Sequence, residues 1–333
     1  MDAILNTPIQ VLDKILALNL DINIWSARAK LTAEDFGETE LPPDELASLG
    51  SKKICDPDKI KVFSKLKKRA TTMLDRNGVR FLSGWAIPED KAGDIIAELC
   101  RIRDEFLAEK ASFIASYDLA IEDWINAHPA WSSLIAGSTV SREHVEKRIG
   151  FSWQLYRVLP VAGLSDDKAM AESGLMSEVE NLGGTLFYEI TKDADDIWKK
   201  VFEGKTEVTH KALSPLKTMR EKLNGLSFVE PHVAPVVEIL DATLARMPKR
   251  GLISGASLFM VQGIVSLLKD GKALLAQAEA MMTSPAPENV LAAFFGEHEQ
   301  NEPVLELEGE IEEAEPVFAP ALATGTIDSL GLW

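Results

Sequence analysis

Leu16-Ala17-Leu18-Asn19-Leu20-Asp21-Ile22-Asn23-Ile24 is the stretch on which the fold depends. Large apolar residues alternate along it with small or polar ones, the period-two pattern of a strand with one buried face. It predicts a strand at about 16–25, and two further stretches predict short strands at about 79–87 and 149–159. Helical periodicity dominates the remainder of the chain. We therefore predict a mainly α protein with a small β-sheet (α+β).

The longest helical pattern runs from residue 88 to residue 128. Apolar residues recur along it at three- and four-residue steps, and a helix of that length usually pairs with another. It predicts a long helical hairpin or a coiled-coil-like rod. We divide the chain into an N-terminal module at 1–164, a helical region at 165–284 and an acidic, largely disordered tail at 285–333.

The charge of the chain is concentrated in that tail. No lysine or arginine follows Lys272, and the tail holds ten glutamates and Asp328, which is −11 of a formal net charge of −17. Residues 1–284 therefore carry −6. Such segregation is typical of a solvated segment that contacts a partner. The chain ends in an apolar peptide, which is consistent with docking of Leu330, Leu332 and Trp333 into a groove of a partner or of the protein itself. The alternative is a terminal segment that packs nowhere or merely closes the domain.

A basic segment lies between Lys52 and Arg80. It contains ten lysines and arginines against three aspartates, a local charge of +7. The helical pattern places Lys61, Lys65, Lys68 and Arg76 opposite an apolar stripe, and Arg69 completes the candidate interaction residues. This face could bind an acidic protein, a nucleic acid or the acidic tail, or could simply be solvated. No aromatic residues interleave with the lysines, which disfavours a stacking platform for single strands.

Sequence motifs for catalysis are lacking. The chain has no glycine-rich phosphate loop, no Gly-x-Ser-x-Gly and no histidine pair at ligand spacing. Glu207-x-x-His210 lacks the second motif that a di-iron site requires. Cys55 and Cys100 are isolated, which indicates a reducing compartment. We expect no cofactor and no metal, and the absence of a signal peptide or an apolar span predicts a cytoplasmic protein without membrane contact.

Four segments of the first half form a distinctive set. They are Asp21-Ile22-x-Ile24-Trp25-Ser26, Glu40-Leu41-Pro42-Pro43, Leu49-Gly50-Ser51-Lys52-Lys53-Ile54 and Arg80-Phe81-Leu82-x-Gly84-Trp85-Ala86-Ile87-Pro88. The set resembles an uncharacterised bacterial and phage family catalogued as domain of unknown function 3150, mainly over residues 16–160. The resemblance implies a mobile-element protein encoded near MoxR-type AAA+ ATPases and von Willebrand A-type proteins. It brings no known active-site residue.

These observations lead to three hypotheses of function. The first is a non-enzymatic scaffold or adaptor that acts through protein–protein contacts, accessory to a MoxR-type AAA+ ATPase system of a mobile element or phage, and compatible with homo-oligomers. The alternative is a nucleic-acid-associated protein whose basic helix face is regulated by the acidic tail. A third is an enzyme whose site is assembled from distant carboxylates and histidines.

Overall fold

The protein is mainly helical with small antiparallel sheets, so the predicted fold class is confirmed. The computed structural model describes residues 8–37, 42–43, 45–159 and 168–283. The strands are β1 (Ile15–Asn23), β2 (Arg28–Lys30), β3 (Ser51–Lys53), β4 (Val79–Phe81), β5 (Gly84–Pro88), β6 (Gly150–Tyr156), β7 (Glu207–Val208) and β8 (Ile253–Ser254). The helices are α1 (Pro8–Lys14), α2 (Lys61–Asn77), α3 (Ala92–Ala115), α4 (Tyr117–Ala127), α5 (Ser132–Ala136), α6 (Arg142–Arg148), α7 (Lys168–Glu180), α8 (Leu182–Ile197), α9 (Ser214–Gly225), α10 (Val233–Ala245), α11 (Gly255–Lys269) and α12 (Gly271–Thr283).

The alternating stretch forms β1, an inner strand of a four-stranded sheet. The strand order is β4–β5–β1–β6, and every neighbouring pair is antiparallel. Leu18 on β1 lies opposite Trp85 on β5 and Leu155 on β6. Two smaller sheets pair β2 with β3 and β7 with β8. The sequence did not predict these four strands, because two or three residues are too few to show a period.

The sheet separates two hydrophobic clusters. Side chains on one face, including Ile15, Ala17 and Phe81, belong to a cluster built mainly from α8 to α12. Side chains on the other face, including Leu18 and Trp85, belong to a cluster built mainly from α2, α3 and α4. Both faces of β1 are therefore buried at its N-terminal end, whereas the alternation predicts only one buried face.

The strand predicted at 79–87 is in fact a hairpin of β4 and β5. Leu82 stands at its turn with φ +50°, a left-handed conformation that residues with a Cβ rarely adopt. Gly84 follows, and a Cβ atom at that position would lie 2.0 Å from the carbonyl oxygen of Leu18. The absence of a side chain at Gly84 therefore lets β5 approach β1.

The single helix predicted from 88 to 128 is interrupted. A 3-10 turn at Glu89–Lys91 precedes α3, and α3 ends at Ala115. The next residue, Ser116, has a φ of −99° and a ψ of 6°, which are not helical. The Ser116 hydroxyl donates to the carbonyls of Ser112 and Phe113 and so satisfies groups at the helix end. α3 packs on α2 and on β6 within the same unit. An extended rod is not seen among the described elements.

All described residues belong to one compact unit. The predictions for the tail at 285–333, including Leu330, Leu332 and Trp333, lie outside the described residues. Among the helices that the structure describes, none combines the length and apolar content needed to span a bilayer.

Replacement of Gly84 tests the close approach of β5 to β1. We expect Gly84→Ala to lower the free energy of unfolding by about 2–3 kcal/mol, because the backbone of Leu18 must move to admit the methyl group. Gly93→Ala is the matched control, since a Cβ there meets nothing within 4 Å and alanine favours a helix by up to about 1 kcal/mol. Urea unfolding measures the free energy of unfolding of both variants. Equal values for the two would contradict the close approach of β5 to β1 at Gly84.

Candidate functional site

Helix α2 carries apolar and basic side chains on opposite faces. Its buried face consists of Phe63, Leu66, Ala70 and Leu74. Its exposed face carries the predicted interaction residues Lys61, Lys65, Lys68, Arg69 and Arg76. The helix begins after a 3-10 turn at Pro57–Ile60, where the Asp56 side chain accepts a hydrogen bond from the backbone N–H of Asp58. The structure therefore places the basic residues on one solvent-facing surface.

Two of these five cations are paired with carboxylates. Lys61 contacts Asp58 at 2.5 Å on the preceding turn. Arg69 contacts Glu105 at 2.6 Å and Glu98 at 3.3 Å, both on α3. These exposed pairs contribute little to stability, but they neutralise the two charges locally.

The other three cations have no carboxylate partner. Within the described part of the chain, the side chains of Lys65, Lys68 and Arg76 form no ion pair or hydrogen bond. Their charges are therefore open to solvent and to a binding partner.

Two concave surfaces flank α2, and Lys68, Thr72 and Arg76 line both of them. We call these three residues the α2 ridge. On one side is the α2–α3 groove of about 490 Å³, which includes Lys65, Arg69 and Glu98. On the other side is the α2–α9 cleft of about 680 Å³, which reaches α8 and α9. A ligand on the ridge could extend into either surface.

The α2–α9 cleft contains charges of both signs together with apolar side chains. Its cations are Lys68, Arg76, Lys200, Lys211 and Lys222. Its acids are Asp75, Asp193 and Asp196, and its apolar residues are Ile197, Val201, Pro215 and Met219. The Lys200 ammonium contacts Asp196 at 2.5 Å. The cleft is therefore a mixed surface with a small excess of positive charge.

A buried lysine connects the walls of this cleft. Lys222 on α9 is 4% exposed, and its ammonium donates to the backbone carbonyl of Asp75 and to Glu189 Oε2, each at 2.6 Å. Glu189 Oε1 accepts the backbone N–H of Arg80 at 3.1 Å. The Lys222 ammonium thus links α2, α8 and α9. The Glu189 carboxylate also accepts a backbone N–H of β4, a strand at the edge of the sheet.

The same junction contains a second set of polar contacts. Asp75 Oδ1 accepts from Trp85 Nε1 at 2.8 Å and from the Arg80 guanidinium at 3.0 Å. The guanidinium lies over the Trp85 ring, 3.9 Å from its centroid, which is a favourable cation–π geometry. The hairpin of β4 and β5 is therefore attached to the C-terminal part of α2, next to the cleft.

Two carboxyls on α8 ionise differently in the cleft. Desolvation raises the pKa of Asp193, although its side chain is exposed on one side, and the Lys222 charge opposes this shift. One turn later, the hydrogen bond from Lys200 lowers the pKa of Asp196. Perturbed ionisation in a cleft is typical of functional sites.

Other candidate groups do not converge in the same way. Burial raises the pKa of the Cys55 thiol to about 11, so this group is not a thiolate at neutral pH. The buried Nε2 of His210 has no hydrogen-bond partner among the described residues. Over residues 8–37, 42–43, 45–159 and 168–283, no three His, Cys, Asp or Glu side chains form a group that could hold a metal ion.

Sequence reasoning identified the α2 face but missed the opposite wall of the cleft. Lys200 and Lys211 come from separate elements more than 100 residues away in the chain, and no local pattern connects them to α2. A signal for Lys222 was present, because it follows the buried Met219 by three residues on α9. A lysine at a core position of a helix indicates a buried partner.

Removal of the Lys222 ammonium tests its role in holding the cleft together. We expect Lys222→Met to lower the free energy of unfolding by about 3 kcal/mol, because the partly buried Glu189 loses its counter-charge and the Asp75 carbonyl loses its donor. Lys200→Met is the matched control, since that ion pair is exposed and its loss changes stability by less than about 1 kcal/mol. Urea unfolding at neutral pH compares them, and a Lys222 effect as small as the control would exclude a structural role.

Comparisons with known proteins place this architecture in a family. A search of curated proteins found no match, and a search of solved structures found none either. One family model, described as "Protein of unknown function (DUF3150)", matches residues 12–270. The match extends beyond residues 16–160, where the resemblance was noted in the sequence. It includes α2 and also α8 and α9, which form the opposite wall of the cleft. The chain therefore belongs to the DUF3150 family.

Proposed function

We propose that the protein is a non-enzymatic scaffold or adaptor, and that the α2 ridge and the α2–α9 cleft bind an acidic polypeptide segment of a partner protein. The observation that carries the proposal is the position of Lys68 and Arg76. Both are exposed, neither has an acidic partner in the described part of the chain, and both border two concave surfaces.

Charge complementarity supports an acidic partner. Residues 1–284 carry a net charge of −6, whereas Lys52 to Arg80 carry +7. A cluster of one sign on an oppositely charged protein produces a local field that attracts anions. Arginine and lysine at such a surface favour carboxylates of a partner through charge-assisted hydrogen bonds.

The lining of the cleft favours a polypeptide over a nucleic acid. A nucleic-acid surface follows the regularly spaced phosphates of the backbone with cations, whereas Asp193 and Asp196 interrupt the cations of this cleft. A polypeptide can place its acidic residues beside the cations and its uncharged residues beside these two carboxylates. Apolar side chains such as Val201 and Met219 also line the cleft. A segment that alternates acidic and apolar residues matches this mixture.

Nucleic-acid binding is the second candidate, and the unpaired cations Lys65, Lys68 and Arg76 favour it. In that case the ridge and the α2–α3 groove would contact phosphates, and the acidic tail would compete for them. The α2–α3 groove suits this use better than the cleft does, because Glu98 is its only acid among the residues that line it.

The family resemblance suggests the identity of the partner. In this proposal the partner is a MoxR-type AAA+ ATPase or a von Willebrand A-type protein of a mobile element or phage, and the contact takes place in the cytoplasm. The apolar end of the chain, with Leu330, Leu332 and Trp333, would provide a second contact. A hairpin or coiled coil involving α3 would be the route by which two copies associate.

Charge reversal on the ridge tests the proposed surface. We expect the double variant Lys68→Glu with Arg76→Glu to bind a fluorescein-labelled peptide of glutamates and leucines about tenfold more weakly, because two attractive charges become repulsive. Fluorescence anisotropy at low ionic strength measures this, with a single-stranded oligonucleotide of equal net charge in parallel.

The control is the double variant Lys192→Glu with Lys217→Glu. It changes the net charge equally on exposed residues of α8 and α9 that line neither surface, and its peptide affinity should stay within about twofold. An equal loss of peptide affinity in both double variants would show that the net charge alone causes it, and this result would overturn the proposed site. Stronger binding of the oligonucleotide than of the peptide would favour the nucleic-acid candidate.

A further inference from the structure

A further cavity, of about 360 Å³, has arginines but no carboxylate among the described residues that line it. Arg28 on β2 and Arg148 on α6 both line it, together with His144, Ser26 and Ser138. No aspartate or glutamate is among its lining residues. Residues 1–284 carry a net charge of −6, whereas the described residues that line this cavity carry only positive formal charges. It differs in this respect from the α2–α9 cleft.

Neither arginine is neutralised by a neighbour. The Arg28 guanidinium donates to the hydroxyl of Ser51 at 3.1 Å, and it has no ion pair with any described residue. The Arg148 side chain has neither an ion pair nor a hydrogen bond within the described ranges. Both residues are exposed, and an anion in the cavity would compete with no carboxylate of the described residues for their guanidinium groups.

Helix α6 contributes two exposed lining residues to the cavity. His144 and Arg148 are four residues apart and therefore lie on the same face of the helix. Val145 on another face is completely buried and anchors α6 to the cluster that contains Trp25. The Ser141 hydroxyl accepts the backbone N–H of His144 at 3.3 Å and caps the first turn. Packing and capping therefore fix the position of the helix that carries this pair.

Aromatic packing makes the apolar wall rigid. Trp25 lines the cavity and packs edge-on against Tyr117, with the ring centroids 5.8 Å apart. The Tyr117 hydroxyl donates to the backbone carbonyl of Val140 at 2.8 Å, and Val140 also lines the cavity. A single aromatic residue thus supports two parts of the wall.

The loop between Trp25 and Arg28 contains backbone strain. Ala27 has φ +54°, a left-handed conformation that is unfavourable for alanine, and it is 1% exposed. Its carbonyl accepts the backbone N–H of Ile54 at 3.0 Å, which holds the loop in place. The flanking residues Ser26 and Arg28 both line the cavity. Strain that orients polar side chains into a cavity is a common feature of ligand sites.

We propose that this cavity binds a small organic molecule through its oxyanion, a carboxylate or a phosphate. Arg28 and Arg148 donate hydrogen bonds to the oxyanion, because the planar guanidinium matches both groups with two parallel bonds. Ser26 and Ser138 provide further donors. The apolar body of the molecule lies against Trp25, Ile54 and Val140. A cavity of this volume with a few convergent polar groups is typical of small-molecule sites.

The site is independent of the proposed adaptor function, since it shares no residue with the ridge or the α2–α9 cleft. Experiments can therefore disprove the anion site without disproving the adaptor function, and the reverse. Lys68→Glu with Arg76→Glu should leave the affinity for small anions within about twofold, and loss of small-anion binding should leave peptide binding intact.

Isothermal titration calorimetry of the full chain tests the inference with three probes: phenyl phosphate, benzoate and inorganic phosphate. We expect phenyl phosphate or benzoate to bind, and Arg148→Ala to weaken that binding about tenfold or more, because a charge-assisted hydrogen bond is lost. Arg28→Lys keeps the positive charge but removes the two parallel N–H donors of the guanidinium, and it should weaken binding as well. Tighter binding of phenyl phosphate than of benzoate, or the reverse, identifies the preferred oxyanion. The difference in affinity between phenyl phosphate and inorganic phosphate measures the contribution of the apolar wall.

The matched control is Lys147→Ala. Lys147 is the neighbour of Arg148 on α6, is exposed and does not line the cavity, so its removal should change the affinity less than about twofold. Circular dichroism checks that each variant is folded. The inference is overturned if none of the probes binds at low ionic strength. It is also overturned if folded Arg148→Ala and Lys147→Ala bind them equally well.

Discussion

The burial of both faces of strand β1 is the constraint on which the rest of the structure depends. Ile15 and Ala17 contribute to one hydrophobic cluster, and Leu18 and Ile22 contribute to the other. A shift of the strand by one residue would exchange its faces and place every side chain in the wrong cluster. The register against β5 and β6 is therefore determined from both sides, and the strand fixes the position of α2 relative to α8 and α9.

The polar junction around Lys222 follows from this arrangement. Two clusters that meet at a sheet leave backbone groups at the sheet edge and at helix ends, and these groups need partners when they are buried. Glu189 satisfies the Arg80 N–H, and Lys222 satisfies Glu189 and the Asp75 carbonyl. Hydrophobic residues of similar volume could often replace a buried ion pair without loss of stability. We attribute to this pair a role in positioning α9 against α2, and hence in the shape of the cleft.

Local periodicity accounts for what could be predicted from the sequence. The alternation in β1 and the apolar stripe of α2 are properties of neighbouring residues, so they identified the central strand and the basic face. The turn at Leu82 lacked the Asn-Gly or Asp-Gly signal of a hairpin, and the break at Ser116 interrupts no apolar pattern. Lys200, Lys211 and the Arg28–Arg148 cavity depend on contacts between distant segments. No pattern of neighbouring residues in the sequence contains the information on those contacts.

The sign of the net charge does not decide what these surfaces bind. Salt screens charges beyond about 10 Å at an ionic strength of 0.1 M, so a ligand at the α2 ridge responds mainly to the cations beside it. The same holds at Arg28 and Arg148, where no acid lines the cavity. The strongly negative total arises largely from the tail, which carries −11 of −17. Local composition, rather than the acidic average of the chain, therefore supports anion recognition at both surfaces.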